Sequence, residues 1–357
     1  MLDSPHAGAS AFLPSAGAPP MRFTFVVPGL ASLDRTLLAA SRPLARLGSW
    51  SKVRVEPRGL PVALFAAFGA PAPDSGRDVP VAPLAALGAG VEPRASYVLA
   101  ADPVSLVAGR DDVALAARVH DLDDLEARAL IRSLNAHFAS DGLVFVAPRP
   151  DTWFATLDAR PDLRTVALDT ALGTMLSAHP PAGRDARTWQ RWATEIQMLL
   201  FAHPVNQRRE REGRVTCNGV WFSAGGELAD VGLVAPLRVH APEGRAGDLV
   251  RGLALHAGGE ALILPGSFEA ALEAAPAARP ATHVAASLPD IADAASLATF
   301  ERSWLAPALH WLERGRIASL ALVTGGTTAS TWVAQRPSMP ARMRAGLAPR
   351  RFSVPGR

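Results

Sequence analysis

Apolar and polar positions along the first quarter of the chain predict alternating strands and helices. Residues 22–27 (RFTFVV) form a short apolar run that a Pro-Gly pair ends, which is typical of a buried strand entering a loop. Leucines recur at helical spacing over residues 32–47, where Pro43 is predicted to break or restart the helix. Prolines interrupt residues 60–91, which we interpret as short helices and loops. A strand followed by a helix indicates an α/β layer.

The middle of the chain is predicted to form a small lobe around one helix. Apolar runs predict extended segments at residues 97–101, 113–119, 143–146 and 153–157. The first of these is predicted to end at Asp102-Pro103. Leucines repeat every three to four residues after an acidic start, which predicts a helix over about residues 122–138. This order of elements predicts an α+β lobe over about residues 95–160.

The second half of the chain continues the alternation. Further short strands are predicted at residues 220–222, 262–264, 283–287 and 317–323. Amphipathic helices are expected over residues 185–202 and 300–312. The predicted layout is therefore a disordered leader at residues 1–20, an α/β domain over residues 21–335 and a basic disordered tail at residues 336–357.

Charge changes this interpretation little. The chain has 357 residues, 19% of them charged, and a net charge of +3. Lys52 is the sole lysine, so the other basic residues among the 36 are arginines, set against 33 acidic residues. Nucleic-acid binding normally requires a dominant basic patch, so this balance argues against it. The acids interleaved with the arginines of residues 208–214 predict a solvated face there rather than a phosphate site.

Several observations favour a cytoplasmic location. No run of 18 or more uncharged apolar residues predicts a membrane span, and residues 1–20 lack the pattern of a signal peptide. Met21 is either the true start or the start of the folded part. Cys217 is the one cysteine, which excludes an intramolecular disulfide, and it is predicted to be buried and structural.

Motifs for common chemistries are missing from the sequence. There is no GxxxxGK[ST] loop, no GxGxxG after the first strand, no HExxH and no GxSxG. The nine histidines are scattered. The glycine pair Gly325-Gly326 is interpreted as a turn rather than a phosphate loop. We therefore predict no catalytic residue and no metal ligand.

A constellation of polar and small residues over residues 195–226 is the best candidate for a pocket. In open α/β sheets, ligands bind in loops at strand ends. The predicted pocket residues are Glu195, His203, Asn206, Asn218, Trp221, Gly225 and Gly226. A helix-capping asparagine, a core tryptophan and a glycine turn would account for the same residues without any ligand.

The segments around this constellation resemble the RpfE-type regulatory proteins of proteobacteria. The similar segments are residues 101–106 (ADPVSL), 134–143 (LNAHFASDGL), 195–206 (EIQMLLFAHPVN), 218–226 (NGVWFSAGG) and 304–320 (WLAPALHWLERGRIASL). They cover most of residues 21–325. That family is related in name and local motif to the cofactor-independent, archaeal-type phosphoglycerate mutases of the alkaline-phosphatase-like superfamily. The resemblance implies an α/β sheet with helices on both faces and a small inserted α+β lobe.

The catalytic residues of the mutases do not carry over. Those enzymes place a metal-binding aspartate after the first strand and use Asp-His pairs as further ligands. Here Pro28 follows the first strand, and no Asp-His dipeptide occurs. Our first hypothesis is therefore a regulatory or binding protein that lacks the two-metal site and needs no cofactor. The alternative is an active, metal-dependent phosphoglycerate mutase or phosphohydrolase that uses two Mn or Mg ions.

Partners follow from the first hypothesis. We expect a small anionic ligand or a protein partner, and we expect no nucleic acid and no membrane. A third hypothesis is that the protein binds a nucleic acid or another protein through its arginine-rich segments.

Overall fold

A computed structural model describes residues 21–71, 73–92, 97–110, 112–232, 237–273, 283–325, 328–338 and 352–355. The predicted leader lies outside these residues, as does most of the predicted basic tail. The described residues fall into two compact units. The first unit comprises residues within Met1–Gly69, Val234–Pro242 and Ala257–Arg357, and the second comprises residues within Ala70–Leu233 and Glu243–His256.

The strands in the described ranges are, in chain order, β1 (Arg22–Val27), β2 (Ser51–Glu56), β3 (Tyr97–Ala108), β4 (Val113–Arg118), β5 (Val144–Arg149), β6 (Thr152–Leu157), β7 (Gly219–Gly226), β8 (Leu237–Ala241), β9 (Glu260–Ile263), β10 (His283–Ser287), β11 (Ser319–Thr324) and β12 (Ala329–Gln335).

The α-helices in the same ranges are α1 (Arg35–Ala40), α2 (Arg42–Trp50), α3 (Leu60–Phe68), α4 (Val81–Gly88), α5 (Asp124–His137), α6 (Leu168–Ala171), α7 (Ala186–Phe201), α8 (Pro204–Arg211), α9 (Arg245–His256), α10 (Phe268–Glu273), α11 (Ala294–Phe300) and α12 (Ala306–Glu313). A π-helical turn, Glu301–Leu305, joins the last two.

The first unit is built on a sheet of seven described strands in the order β2-β12-β11-β1-β10-β8-β9. Strands β11, β1, β10, β8 and β9 are parallel, and β12 runs antiparallel between β11 and the edge strand β2. Successive side chains of a strand point to opposite faces. On one face, Phe25 packs against Phe300 and Trp304. On the other, Thr24 hydrogen-bonds His283, whose ring contacts Phe68 of α3. Helices therefore cover both faces.

The second unit contains an antiparallel sheet around the long strand β3. The strand order is β4-β3-β6-β5, and β7 pairs with β3. Helices α5 and α7 pack their apolar stripes on this sheet, and the aromatic core includes Phe138, Trp153 and Trp192. The predicted lobe over residues 95–160 lies inside this larger unit.

Two glycines bring helices α4 and α9 of the second unit into direct backbone contact. A Cβ at Gly88 would overlap the backbone carbonyl of Asp248, and a Cβ at Gly252 would overlap that of Leu84. Both approaches are well under the 3.0 Å that real Cβ atoms keep. Glycine is therefore required at both positions, because any side chain would force the helices apart.

Most predicted elements are confirmed, including β1, α5, α7, β10 and β11. The predicted break at Pro43 is confirmed, because α1 ends at Ala40 and Pro43 lies in the first turn of α2. The predicted strand end at Asp102-Pro103 is wrong, since β3 continues through both residues to Ala108. Asp102 is buried there with Arg245 at 2.6 Å.

The predicted solvated face over residues 208–214 is also wrong in part. Arg209 is 0% exposed and donates hydrogen bonds to Glu126 of α5 at 2.7 Å and to the carbonyl of Val215. Glu126 is equally buried and also accepts from Arg208 and Arg214. The run is therefore partly a structural ion-pair cluster rather than a free basic surface.

His283 makes the first unit sensitive to acid. Burial, with the charge of Arg22 adding to it, lowers the pKa of His283 to about 4, against an ordinary 6.5. The pKa of His283 is lower in the folded protein than in the unfolded chain, so the unfolded chain binds the proton more readily. The free energy of unfolding is therefore highest above pH 6.5 and decreases as the pH falls toward 4. Between pH 7 and pH 5, the free energy of unfolding should decrease by about 2 kcal/mol less in His283→Gln than in the unmodified protein. Urea unfolding of both proteins at pH 7 and pH 5 measures this difference. An equal decrease in the two proteins would contradict the prediction.

Candidate functional site

Backbone segments pack closely around the residues that directly follow β1, at the carboxyl edge of the parallel strands in the first unit. Strands β1, β10 and β11 end at this edge. Pro28, directly after β1, accepts a hydrogen bond from the Gly325 amide, and a Cβ at Gly325 would lie 3.1 Å from the Cα of Pro28. Gly29 is equally confined, because its Cβ would lie 3.0 Å from the amide nitrogen of Ile291. The chain itself fills the position after β1.

Among the described residues, buried hydroxyl groups lie at the ends of β10 and β11 and on the neighbouring part of β12. Ser287, Thr324 and Ser330 are all at most 2% exposed. The Thr324 hydroxyl accepts a hydrogen bond from the Ser330 amide. Within the described ranges, no group of three or more His, Cys, Asp or Glu side chains could hold a metal ion.

Two of the predicted pocket residues form hydrogen bonds with backbone groups of the second unit through their side chains. Asn206 is buried, donates to the carbonyls of Leu200 and Cys217, and accepts from the Cys217 amide. Asn218 pairs through its amide with the backbone N–H and C=O of Leu106. Cys217 is fully buried as predicted, and burial raises the pKa of its thiol to about 12.

Glu195 and His203 make separate contacts with helix α5. His203 begins α8, accepts from the Val205 amide through Nδ1 and lies 3.1 Å from the Ser133 hydroxyl through Nε2. Burial lowers the pKa of His203. Glu195 pairs instead with His137 at 3.1 Å. The structure thus does not bring these two residues together with the remaining candidates.

A cleft of about 420 Å³ in the second unit, here called the arginine cleft, contains the predicted residue Gly225. Its lining residues are Pro73, Asp74, Gly76, Arg77, Asp78, Pro80, Tyr97, Arg160, Pro161, Asp162, Leu163, Arg164, Arg184, Gly225 and Asp230. A Cβ at Gly225 would overlap the Tyr97 hydroxyl, and one at Gly226 would collide with Pro80. These glycines let the strand β7 approach the wall of the cleft.

Two of the four arginines in the cleft are held in close ion pairs. Arg160 forms a two-point contact with Asp230, with both N–O distances at 2.7 Å, and also pairs with Glu227. Its guanidinium lies over the Tyr97 ring, 5.8 Å from the centroid. Arg184 pairs with Asp162 at 2.6 Å. Opposite charges therefore compensate these two arginines.

Asp78 is a half-buried carboxyl of the cleft. It accepts from both the amide and the hydroxyl of Thr165. Burial raises the pKa of Asp78, and the hydrogen bonds from Thr165 partly oppose the shift. Burial, reinforced by the nearby charge of Asp78, raises the pKa of Tyr97, so its hydroxyl stays protonated.

Two guanidinium groups in the cleft lie outside short ion pairs, although the charge of Arg164 acts to lower the pKa of Asp78 and of Asp162. Arg164 is exposed and forms no ion pair within 4.0 Å in the described part of the chain. Arg77 has a side chain that is 63% exposed and comes no closer than 4.0 Å to Asp230. These two side chains could bind an anion without first breaking a short ion pair.

A second cavity of about 340 Å³ in the same unit, here called the tryptophan groove, contains the predicted residue Trp221. Its lining residues are Val104, Leu106, Asp112, Leu163, Thr165, Val166, Leu176, Ser177, His179, Pro180, Pro181, Trp189, Gln190, Ala193, Thr194, Gln197, Val220, Trp221 and Phe222. The predicted pocket residues thus divide between the two cavities and the surrounding framework.

Sequence reasoning missed the arginines of the cleft. Arg160 and Arg164 lie in the segment Arg-Pro-Asp-Leu-Arg, and Arg77 lies far away in the chain. A pair of arginines around a proline was the available signal, but no motif connects it to Arg77.

Comparisons with known proteins identify a similar fold. No family model and no curated protein matches the sequence. Among solved structures, the chain is similar to the PH0037 protein from Pyrococcus horikoshii, with 14% identity, a TM-score of 0.53, and coverage of 89% of this chain and 88% of that one. It is also similar to the cofactor-independent phosphoglycerate mutase from Thermoplasma acidophilum DSM 1728, with 15% identity, a TM-score of 0.48, and coverage of 90% and 91%.

A sequence identity this low supports a similar fold and gives no information about activity. The predicted mixed α/β class, with a large central sheet and helices, is confirmed. The RpfE-type assignment stays a prediction. No helix in the described ranges is long and apolar enough to cross a membrane.

Proposed function

We propose that this chain is a non-catalytic regulatory protein of the RpfE type, on a phosphoglycerate-mutase-like scaffold, that binds a small anionic ligand in the cytoplasm. The observation that carries the proposal is the presence of Pro28 directly after β1. In the resembled enzymes, a metal-binding aspartate follows the first strand. Here proline and tightly packed backbone occupy that position, and a two-metal site needs carboxylates and imidazoles to hold its ions.

The arginine cleft is the proposed anion site. Arg77 and Arg164 offer guanidinium groups outside short ion pairs, and a guanidinium can bind a carboxylate or phosphate through two parallel hydrogen bonds. Pairing with Arg160 and Arg184 compensates the acidic residues Asp230 and Asp162. Asp74 and Asp78 also line the cleft, so the proposal depends on Arg77 and Arg164 lying outside short ion pairs and not on an excess of positive charge.

The first experiment separates this function from that of an active mutase. Purified protein is analysed for bound metal, and turnover of 3-phosphoglycerate is measured with manganese present. We expect no stoichiometric metal and no turnover. Stoichiometric metal together with turnover would replace the proposal with the alternative, a mutase or phosphohydrolase using two Mn or Mg ions.

The second experiment tests the arginine cleft, with 3-phosphoglycerate as the anionic probe in titration calorimetry. Substituting Arg164→Met should weaken binding about tenfold, because one charge-assisted contact is lost. The matched control is Arg132→Met on α5, an exposed arginine outside the cleft, which should bind like the unmodified protein. Equal affinities of the Arg164 variant and the unmodified protein would contradict the assignment of the cleft.

A further inference from the structure

The tryptophan groove is formed where helix α7 faces strand β7 in the second unit. Trp189, Ala193 and Gln197 follow one another at intervals of one helical turn on α7, and all three line the groove. The small side chain of Ala193 leaves space between its two larger neighbours. On the other side, β7 contributes Phe222, which packs with Trp189, and Trp221, which points to the opposite face of the strand.

The aromatic side chains of the groove are fixed before any ligand arrives. The indole nitrogen of Trp221 donates to the carbonyl of Val166 at 2.8 Å. Trp189 and Phe222 pack edge to face, with ring centroids 4.8 Å apart. Rigid aromatic walls bind a flat ligand at low entropic cost, since few side chains must be ordered.

Three polar side chains in the groove have no hydrogen-bond partner among the described residues. Those of His179, Gln190 and Gln197 make no hydrogen bond or ion pair with any other described residue, although each lines the cavity. Ligand sites combine an apolar lining with a few polar groups that fix the orientation of the ligand. The amide of Gln197 can both donate and accept, so it suits a ligand with a group of the same kind.

The charge of the groove disfavours an anion. Among the described residues, neither lysine nor arginine lines it, and the carboxylate that does belongs to Asp112. Asp112 accepts from the Ser177 hydroxyl and the Val113 amide, and the Ser177 hydrogen bond is the main cause that lowers its pKa. A fixed negative charge at the rim repels anions.

We propose that the tryptophan groove binds a neutral, planar aromatic molecule that carries a hydrogen-bonding group at its edge. The volume of about 340 Å³ lies at the lower end of the roughly 300–1,000 Å³ found for small-molecule sites, which fits one or two fused rings. The groove adjoins the arginine cleft, because Leu163 lines both cavities, but this proposal does not depend on anion binding in that cleft.

The test uses 2-naphthamide as a neutral planar probe and 2-naphthoate, which has the same rings with a carboxylate, as its charged counterpart. Binding is followed by quenching of tryptophan fluorescence and by titration calorimetry. We expect the amide to bind at least tenfold more tightly than the carboxylate. Failure of the amide to bind at concentrations up to about 10 mM, or equal binding of both probes, would overturn the proposal.

Variants locate the binding in the groove. Ala193→Phe fills the space between Trp189 and Gln197, and it should weaken binding of the amide at least tenfold. The matched control Ala202→Phe places the same ring at an exposed position at the end of α7, and should leave binding unchanged. Gln197→Leu, which keeps the groove filled to a similar extent, should weaken binding about threefold to tenfold. Unchanged binding in both groove variants would overturn the proposal.

Discussion

Gly252→Ala is expected to lower the free energy of unfolding of the second unit by about 3 kcal/mol. The added methyl would overlap the backbone carbonyl of Leu84. A backbone atom cannot rotate away as the end of a side chain can, so helices α4 and α9 must separate along their contact. Separation would expose Leu84 and Ala86, which are now fully buried. Urea unfolding measures the loss, and hydrogen exchange in α4 should accelerate.

Gly48→Ala provides the control for this substitution. Gly48 also lies inside a helix, α2, but the nearest atom to an added Cβ is a ring carbon of Phe352 at 3.4 Å. Alanine should be neutral or stabilise the protein there by up to about 1 kcal/mol, because it favours helix more than glycine does. A similar loss in both variants would mean that helix propensity rather than backbone overlap controls the result.

Glu126→Gln is the second substitution with a large expected effect. Glu126 is fully buried and pairs with Arg209, which is also fully buried. Removing its charge leaves a buried guanidinium without its main counter-ion, which typically costs about 3 to 5 kcal/mol. Arg209 keeps its hydrogen bonds to Val215 and Asp121, so we expect the lower end of that range, measured by urea unfolding at pH 7.

The same substitution should change the response to acid. Burial by itself raises the pKa of Glu126, but the hydrogen bond from the Asp123 backbone and the charge of Arg209 outweigh it, so the pKa lies below its ordinary 4.5. Stabilisation from a lowered carboxyl pKa is present above the ordinary value and is lost as the pH falls below it. The variant should therefore lose less stability below about pH 4.5 than the unmodified protein does. Glu210→Gln, an exposed position on α8, is the control. A parallel decline in all three proteins would contradict the prediction.

Local sequence patterns predicted the elements whose causes are local. The acidic start of α5 is an example, because Asp123 and Glu126 form a reciprocal cap within four residues. The strand end predicted at Asp102-Pro103 failed for a long-range reason. Arg118 and Arg245 hold the charge of Asp102 inside β3, and Arg245 lies more than a hundred residues away. Strands β2, β8 and β12 were missed, as were helices α9 and α10.

The candidate sites were predictable only in part. Gly225 and Trp221 each line a cavity, as expected of residues near a strand end, yet the cavities are different ones. Residues 160–197 supply much of both linings, and no motif distinguishes them in the sequence. The burial of Arg209 was hidden as well, since its partner Glu126 lies 83 residues away and the nearer acids suggested a solvated run.

Helix α9 has a consequence for the order in which the protein folds during synthesis. It belongs to the second unit, although the strands before and after it in the chain, β8 and β9, belong to the first. Domains on the ribosome usually fold from the N-terminus onward as each is completed. The second unit cannot be completed before residues 245–256 have been synthesised. The first sheet cannot be completed until β11 and β12 have also been synthesised. A nascent chain halted at residue 233 therefore has neither unit complete.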